Sequence, residues 1–167
     1  MSPAPPLPAA RFTELLQRHR GILLKVAGSY AWQREDREDL LQEIATQLWR
    51  AWPGYDPARS FSTWMYRIAL NVAISQLRAR SRRPLADGAA DTQLDALPDP
   101  QAHDPEHAEQ LRRLQCFIHA LPPLERALML LYLDERPQRE IAEVLGLSET
   151  NVATKIGRLK TRLRNEL

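Results

Sequence analysis

The stretch QREIAEVLGLSETNVATKIGRLKTRLRNEL, Gln138 to Leu167, reads as two helices hinged at Gly146, the second densely basic. Ile141, Ala142 and Leu145 recur at helical spacing. Gly146 permits the left-handed backbone that ends a helix, and Ser148 can cap the next one. In the second helix Val152, Ile156, Leu159 and Leu163 form an apolar stripe, while Asn151, Thr154, Lys155, Arg158, Lys160, Arg162 and Arg164 point elsewhere. Small polar residues at a helix start suit base edges, and the later Lys and Arg suit phosphates, as in a helix-turn-helix whose second helix enters a major groove. A helical hairpin with a solvated basic face has the same pattern, so the rest of the chain must choose.

With 167 residues the chain has room for one domain or two small ones, and its composition is that of a soluble globular protein. The longest apolar run, Ala127 to Leu133, is far short of the roughly 18 residues a membrane span needs and reads as a core helix. The start, MSPAPPLPAA, lacks the basic head and long apolar segment of a secretory signal, so a cytoplasmic protein is expected. The single cysteine, Cys116, excludes an internal disulfide and a thiolate zinc cluster, and reads as a small buried hydrophobe.

A net charge of +2 says little, but its distribution says more. Arg78, Arg80, Arg82 and Arg83 form one basic cluster and the C-terminal helix another. Between them, Pro84 to Gln110 holds no Lys or Arg but many carboxylates and four prolines. Residues 84–104 therefore read as a flexible acidic linker between two all-α domains. The expected division is a disordered Pro-rich tail at 1–10, a front domain at 11–83, the linker, and a rear domain at 105–167.

Three helical patterns fill the front domain: Ala9 to Tyr30, with Phe12, Leu15, Leu16, His19, Leu23 and Val26 on one face; a second with Leu40, Leu41, Ile44 and Leu48; and Ser60 to about Arg82, with Phe61, Met65, Ile68 and Val72 in register. Glu35, Asp36, Glu38 and Asp39 at the start of the second suit the helix dipole. Asp39, Gln42 and Glu43 also make a polar strip followed by Trp49 and Trp52, which suits docking; composition does not choose. In the third, aromatics and Asn71 precede the arginines, a combination suited to unpaired bases and their phosphates. Periodicity assigns Phe61 and Trp64 to the core and leaves Tyr55, Tyr66 and Asn71 open.

Taken in order, DREDLLQEIATQLWRAW, SFSTWMYRIALNVAISQLRARSRR, an acidic linker, and LPPLERALMLLYLDERPQREIAEVLGLS followed by a basic helix closely resemble an extracytoplasmic-function sigma factor of bacterial RNA polymerase. The resemblance implies a front domain that binds the clamp of core RNA polymerase and melts the minus-ten promoter element, and a rear domain that reads the minus-thirty-five element. By position it puts Asp39, Leu40, Gln42 and Glu43 on the clamp, and Tyr55, Ser60 and Asn71 where a flipped minus-ten base is held, with Arg78, Arg80 and Arg82 on the DNA backbone. It puts Thr150, Asn151, Thr154 and Lys155 on base edges and Arg158 and Arg162 on phosphates. It further implies promoter DNA and an anti-sigma protein as partners, no cofactor, and a linker that occupies the polymerase's basic channel.

Two departures bear on the rear domain. Ala153 stands where relatives often have a basic residue, and ERPQREIA stands where they commonly have GLSYEEIA. The rival function is a self-contained helix-turn-helix regulator. An enzyme is not expected: HDPEH, His103 to His107, matches a zinc-protease pattern, but Pro105 would start a helix and leave His103 outside it, so no metal ligand is assigned.

Overall fold

Helix boundaries follow local chemistry. In the computed structural model, which describes residues 7–82 and 104–167, the helices are α1 (Ala9–Arg18), α2 (Arg20–Tyr30), α3 (Arg34–Ala51), α4 (Phe61–Ser81), α5 (Pro105–Ala120), α6 (Pro123–Leu133), α7 (Gln138–Leu145) and α8 (Glu149–Glu166), with a 3-10 turn at Trp52–Gly54. No strand occurs among the described residues, so the expected all-α class holds. Three starts carry oxygen caps: Ser148, as expected, accepts from Asn151 N–H, and Ser60 accepts from Thr63 N–H and Asp104 from Glu106 N–H ahead of Pro105. The linker, Arg83 and His103 fall outside the described residues, apart from Asp104.

The long first helix expected from Ala9 to Tyr30 is instead two. His19 leaves helical geometry at φ −106° and ψ 20°, just before Gly21, and its ring packs 5.2 Å from that of Phe61. The break lets Phe12 and Leu15 bury against one part of the core and Ile22, Leu23 and Val26 against another. Part of the segment expected as a disordered tail at 1–10 is ordered: Ala9 and Ala10 form the first turn of α1, and Leu7 O accepts from Trp52 Nε1–H at 3.2 Å.

Helices α2, α3 and α4 pack together around Val26, Ile44, Leu48, Met65, Tyr66 and Leu70, all at most 1 % exposed. Fully burying an aliphatic side chain contributes about 1.5–3 kcal/mol, so these positions hold the front domain. Periodicity erred by one position on α4: Ile68 and Val72 are half-buried, while Tyr66, Ala69 and Ala73 are in the core. Trp52 is likewise core at 4 % exposed and only Trp49 faces out, so the two tryptophans do not form one docking strip.

In the rear domain α6, α7 and α8 close around Leu128, Leu131, Ile141, Val152, Ile156 and Leu159. Gly146 at φ +67° ends α7, and Leu147 N–H reaches back to Ala142 O at 3.0 Å. Glu135, in the turn before α7, takes φ +55°. A non-glycine residue there costs about 1 kcal/mol.

The two domains touch. Helices α5 and α6 lie against α2, and α6 and α7 against α4. At one end of the seam Arg126, 6 % exposed, donates to Ser29 O at 3.0 Å, His119 O at 2.7 Å and Leu121 O at 3.0 Å. Tyr30 Oη–H beside it donates to Pro123 O at 2.7 Å. His119 Nε2–H donates to Gly28 O at 3.0 Å, and its ring meets Trp32 edge-on at 4.1 Å.

Burial, then the Arg126 and Arg37 charges, outweigh that bond and lower the His119 pKa to about 4. The unfolded chain takes up this proton near the ordinary 6.5 and the folded chain refuses it until about 4, so stability is lost as pH falls through that window. Acidification from pH 7 to 5 is expected to cost about 1–2 kcal/mol, roughly 3–6 °C in melting temperature. His119→Gln should remove most of that dependence in a pH series of thermal melts.

Candidate polymerase and nucleic-acid interfaces

Helix α3 carries the strip proposed for docking. Asp39 and Gln42 are exposed; Glu43 is half-buried and accepts from Gln47 Nε2 at 2.9 Å. Leu40, grouped with them, is instead a core side chain at 3 % exposed, because α3 must turn this position inward to meet α2 and α4.

Glu43 shares an open groove of about 470 Å³ with Gln47 on α3 and with Ile68, Asn71, Val72 and Ser75 on α4. Asn71 is exposed. The groove thus joins a residue expected on polymerase to one expected on a base.

Tyr55 and Ser60 are not part of it. The Tyr55 ring stacks on Trp52 at 5.3 Å and 15°, meets Phe61 at 5.7 Å, and donates its hydroxyl to Arg59 O at 2.8 Å. From Phe61 to Asn71 the helix rises about 15 Å, so one pocket combining Tyr55 with Asn71 does not form. Trp64, half-buried and 5.0 Å from Tyr55, lies on the same face of α4 as Ile68 and Asn71 and is the aromatic nearer the groove. Ser60 caps α4 and shares a 2.9 Å hydrogen bond with Ser62.

Arg78, Arg80 and Arg82 are exposed at the end of α4, where Arg80 also pairs with Asp36 at 3.0 Å. Arg67 is exposed on α4 one turn before Asn71.

On α8, Thr150, Asn151, Thr154 and Arg158 are exposed together and Lys155 is half-buried. Thr154 Oγ–H donates to Thr150 O at 3.0 Å, leaving an acceptor free. Arg162 is turned toward its own domain: it reaches Glu125 at 3.3 Å and lies 5.9 Å from the Phe117 ring centroid, which competes with a phosphate. Ala153 is exposed in a cleft with Gly157, Lys160 and Gln138.

No group of three or more His, Cys, Asp or Glu among the described residues is placed to hold a metal, and His107 is exposed on α5. Cys116, expected to be buried, is half-buried. No helix among the described residues is long and apolar enough to cross a membrane.

Two family models match this chain: Sigma-70 region 2 over residues 15–83, which holds α4 and the groove, and Sigma-70 region 4 over residues 111–163, which holds α7 and most of α8. RNA polymerase sigma factor CnrH of Cupriavidus metallidurans is 31% identical over 160 residues, covering 91% of this chain and 84% of that protein. The ECF RNA polymerase sigma factor SigW of Bacillus subtilis is 32% identical, covering 79% of this chain and 75% of SigW. The chain belongs to the extracytoplasmic-function sigma factors of RNA polymerase.

Coverage of relatives varies. The Xanthomonas campestris pv. campestris protein named "Probable RNA polymerase sigma factor RfaY" is 32% identical over 134 residues, and this chain spans 34% of its length. Among solved structures, CnrH in complex with the cytosolic domain of CnrY aligns with a TM-score of 0.66 at 26% identity, covering 92% of this chain and 85% of that one. The sigma factor RpoE of Bartonella quintana, solved with the anti-sigma factor NepR, shares the fold: TM-score 0.70 at 18% identity, covering 93% of this chain and 96% of that one.

Proposed function

We propose that this chain directs core RNA polymerase to promoters in the cytoplasm, itself performing no catalysis. Asp39, Gln42 and Glu43 dock the clamp; the α3–α4 groove around Asn71 receives a base of the melted minus-ten element; Thr150, Asn151, Thr154 and Lys155 read the minus-thirty-five element. Arg78, Arg80, Arg82 and Arg158 hold phosphates. The observation that carries this reading is the groove in which Glu43 and Asn71 meet, because it couples polymerase docking to base capture in one packed domain. Opening DNA needs that coupling: a flipped base costs a few kcal/mol of unstacking, which a positioned amide and an aromatic wall offset.

A self-contained regulator is disfavoured, since it needs no counterpart of the front domain. An anti-sigma partner is part of the proposal; the similar CnrH was solved in complex with another protein, the cytosolic domain of CnrY. Run-off transcription with purified core polymerase tests the whole: transcripts from a cognate promoter should depend on the chain, and initiation without it would overturn the reading. The docking surface has its own test. Asp39→Ala with Gln42→Ala should weaken binding to core polymerase about tenfold while leaving the melting temperature unchanged, because both side chains are exposed. Unchanged affinity would remove the strip from the interface.

A further inference from the structure

Beside α8 lies an open cleft of about 650 Å³ with the buried side chains of Ile141 and Ile156 in its lining. One wall is the start of α7, including Gln138, with the turn before it. The other is the flank of α8 that carries Ala153, Gly157 and Lys160 at i, i+4 and i+7. Ala153 adjoins Thr154 and stands one turn from Thr150, so the cleft borders the residues that read bases under the proposed function. At Gly157 a side-chain carbon would meet nothing within 4 Å. Ala153 and Gly157 therefore leave this flank with space but with neither donor nor acceptor for a base edge.

Gln138 lines the opposite wall. It opens α7, is exposed, and its side-chain amide has no hydrogen-bond partner among the described residues. The basic groups of the cleft are engaged elsewhere: Lys160 Nζ sits 5.5 Å from the centre of the Tyr132 ring, and Arg136 donates to Asp134 at 2.9 Å, Glu140 at 3.2 Å and Ser62 Oγ at 3.0 Å. Glu135 adds an exposed carboxylate to the same wall, which repels a phosphate. A neutral base edge thus suits this wall better than the DNA backbone. Among the bases adenine fits an amide best, since the amide donates to N7 and accepts from the N6 amino group at once. The two departures seen in the sequence, Gln138 within ERPQREIA and Ala153, stand on different helices and line this one cleft.

We propose that Gln138 is a specificity-determining residue of the rear domain: its amide reaches across the gap at Ala153 and Gly157 and reads an adenine beside the bases read by α8. Both helices of the helix-turn-helix then choose the promoter. This rests on the reading of α8 as the helix that recognises the minus-thirty-five element.

The test uses the full chain with core polymerase on a promoter library whose minus-thirty-five region is randomised, and sequences the templates that yield transcript. The unaltered chain should favour adenine at one position by about 5- to 150-fold, the range for a bidentate side chain on a base. Gln138→Ala should abolish that preference and keep the others, whereas Gln138→Glu, whose carboxylate only accepts, should move it to cytosine. Placing 7-deazaadenine there, which lacks the N7 acceptor, should weaken the unaltered chain about fivefold and leave Gln138→Ala unaffected. Both variants should keep the melting temperature of the unaltered chain, because the side chain is exposed. Identical base preferences in all three chains would overturn the proposal, as would a loss spread evenly over every sequence, which marks a phosphate contact or a folding defect. If the unaltered chain enriches no sequence at all, the promoter reading itself fails and Gln138 falls with it.

Discussion

Arg126→Met is expected to destabilise the chain by about 3 kcal/mol, lowering the melting temperature by roughly 6–12 °C. The guanidinium is 6 % exposed and serves Ser29 O, His119 O and Leu121 O, so its loss leaves three carbonyls in a seam with little water to replace it. Burial lowers its pKa, yet arginine stays charged and the carbonyl dipoles take the place of water. Methionine fills the stem's volume without donating, so the change isolates the hydrogen bonds from packing. A loss below about 0.5 kcal/mol in denaturant unfolding would mean that water enters and serves those carbonyls.

Asn71→Ala is expected to lower open-complex formation by about 5- to 150-fold, the range set by 1–3 kcal/mol for a well-placed amide on a base. Affinity for core polymerase and the melting temperature should stay within error, because the side chain is exposed and supports no core contact. Permanganate reactivity of unpaired thymines separates the two effects. If melting and polymerase binding fall together, Asn71 instead shapes the Glu43 side of their shared groove.

The recognition segment was legible because its signals are local. Gly146 and Ser148 stop and start helices whatever surrounds them, and Val152, Ile156 and Leu159 fall on one face of any helix containing them. Spacing alone did not show which way α3 and α4 turn. Both carry apolar residues around more than one face, and the choice depends on the helices they meet. Trp52 and Tyr66 were open or misassigned for that reason, and both are core; Leu40 is core as its spacing indicated, and only the resemblance set it on the clamp. The break at His19 is similar: the pattern through Leu16 and Leu23 fits one long helix, whereas in the fold two helices bury their faces against different parts of the core and the His19 ring packs on Phe61.

The sequence by itself therefore determined the all-helical class, the two domains, the helix-turn-helix and the family, each written in short-range periodicity, capping residues and the order of motifs. Only the tertiary structure separated Tyr55 from Asn71, joined Asn71 to Glu43, and set Asp134, Arg136 and Glu140 against Lys25, Ser62, Thr63 and Tyr66. Those pairings join residues up to 109 positions apart. No local rule encodes them, because a charge's partner is fixed by how whole helices pack.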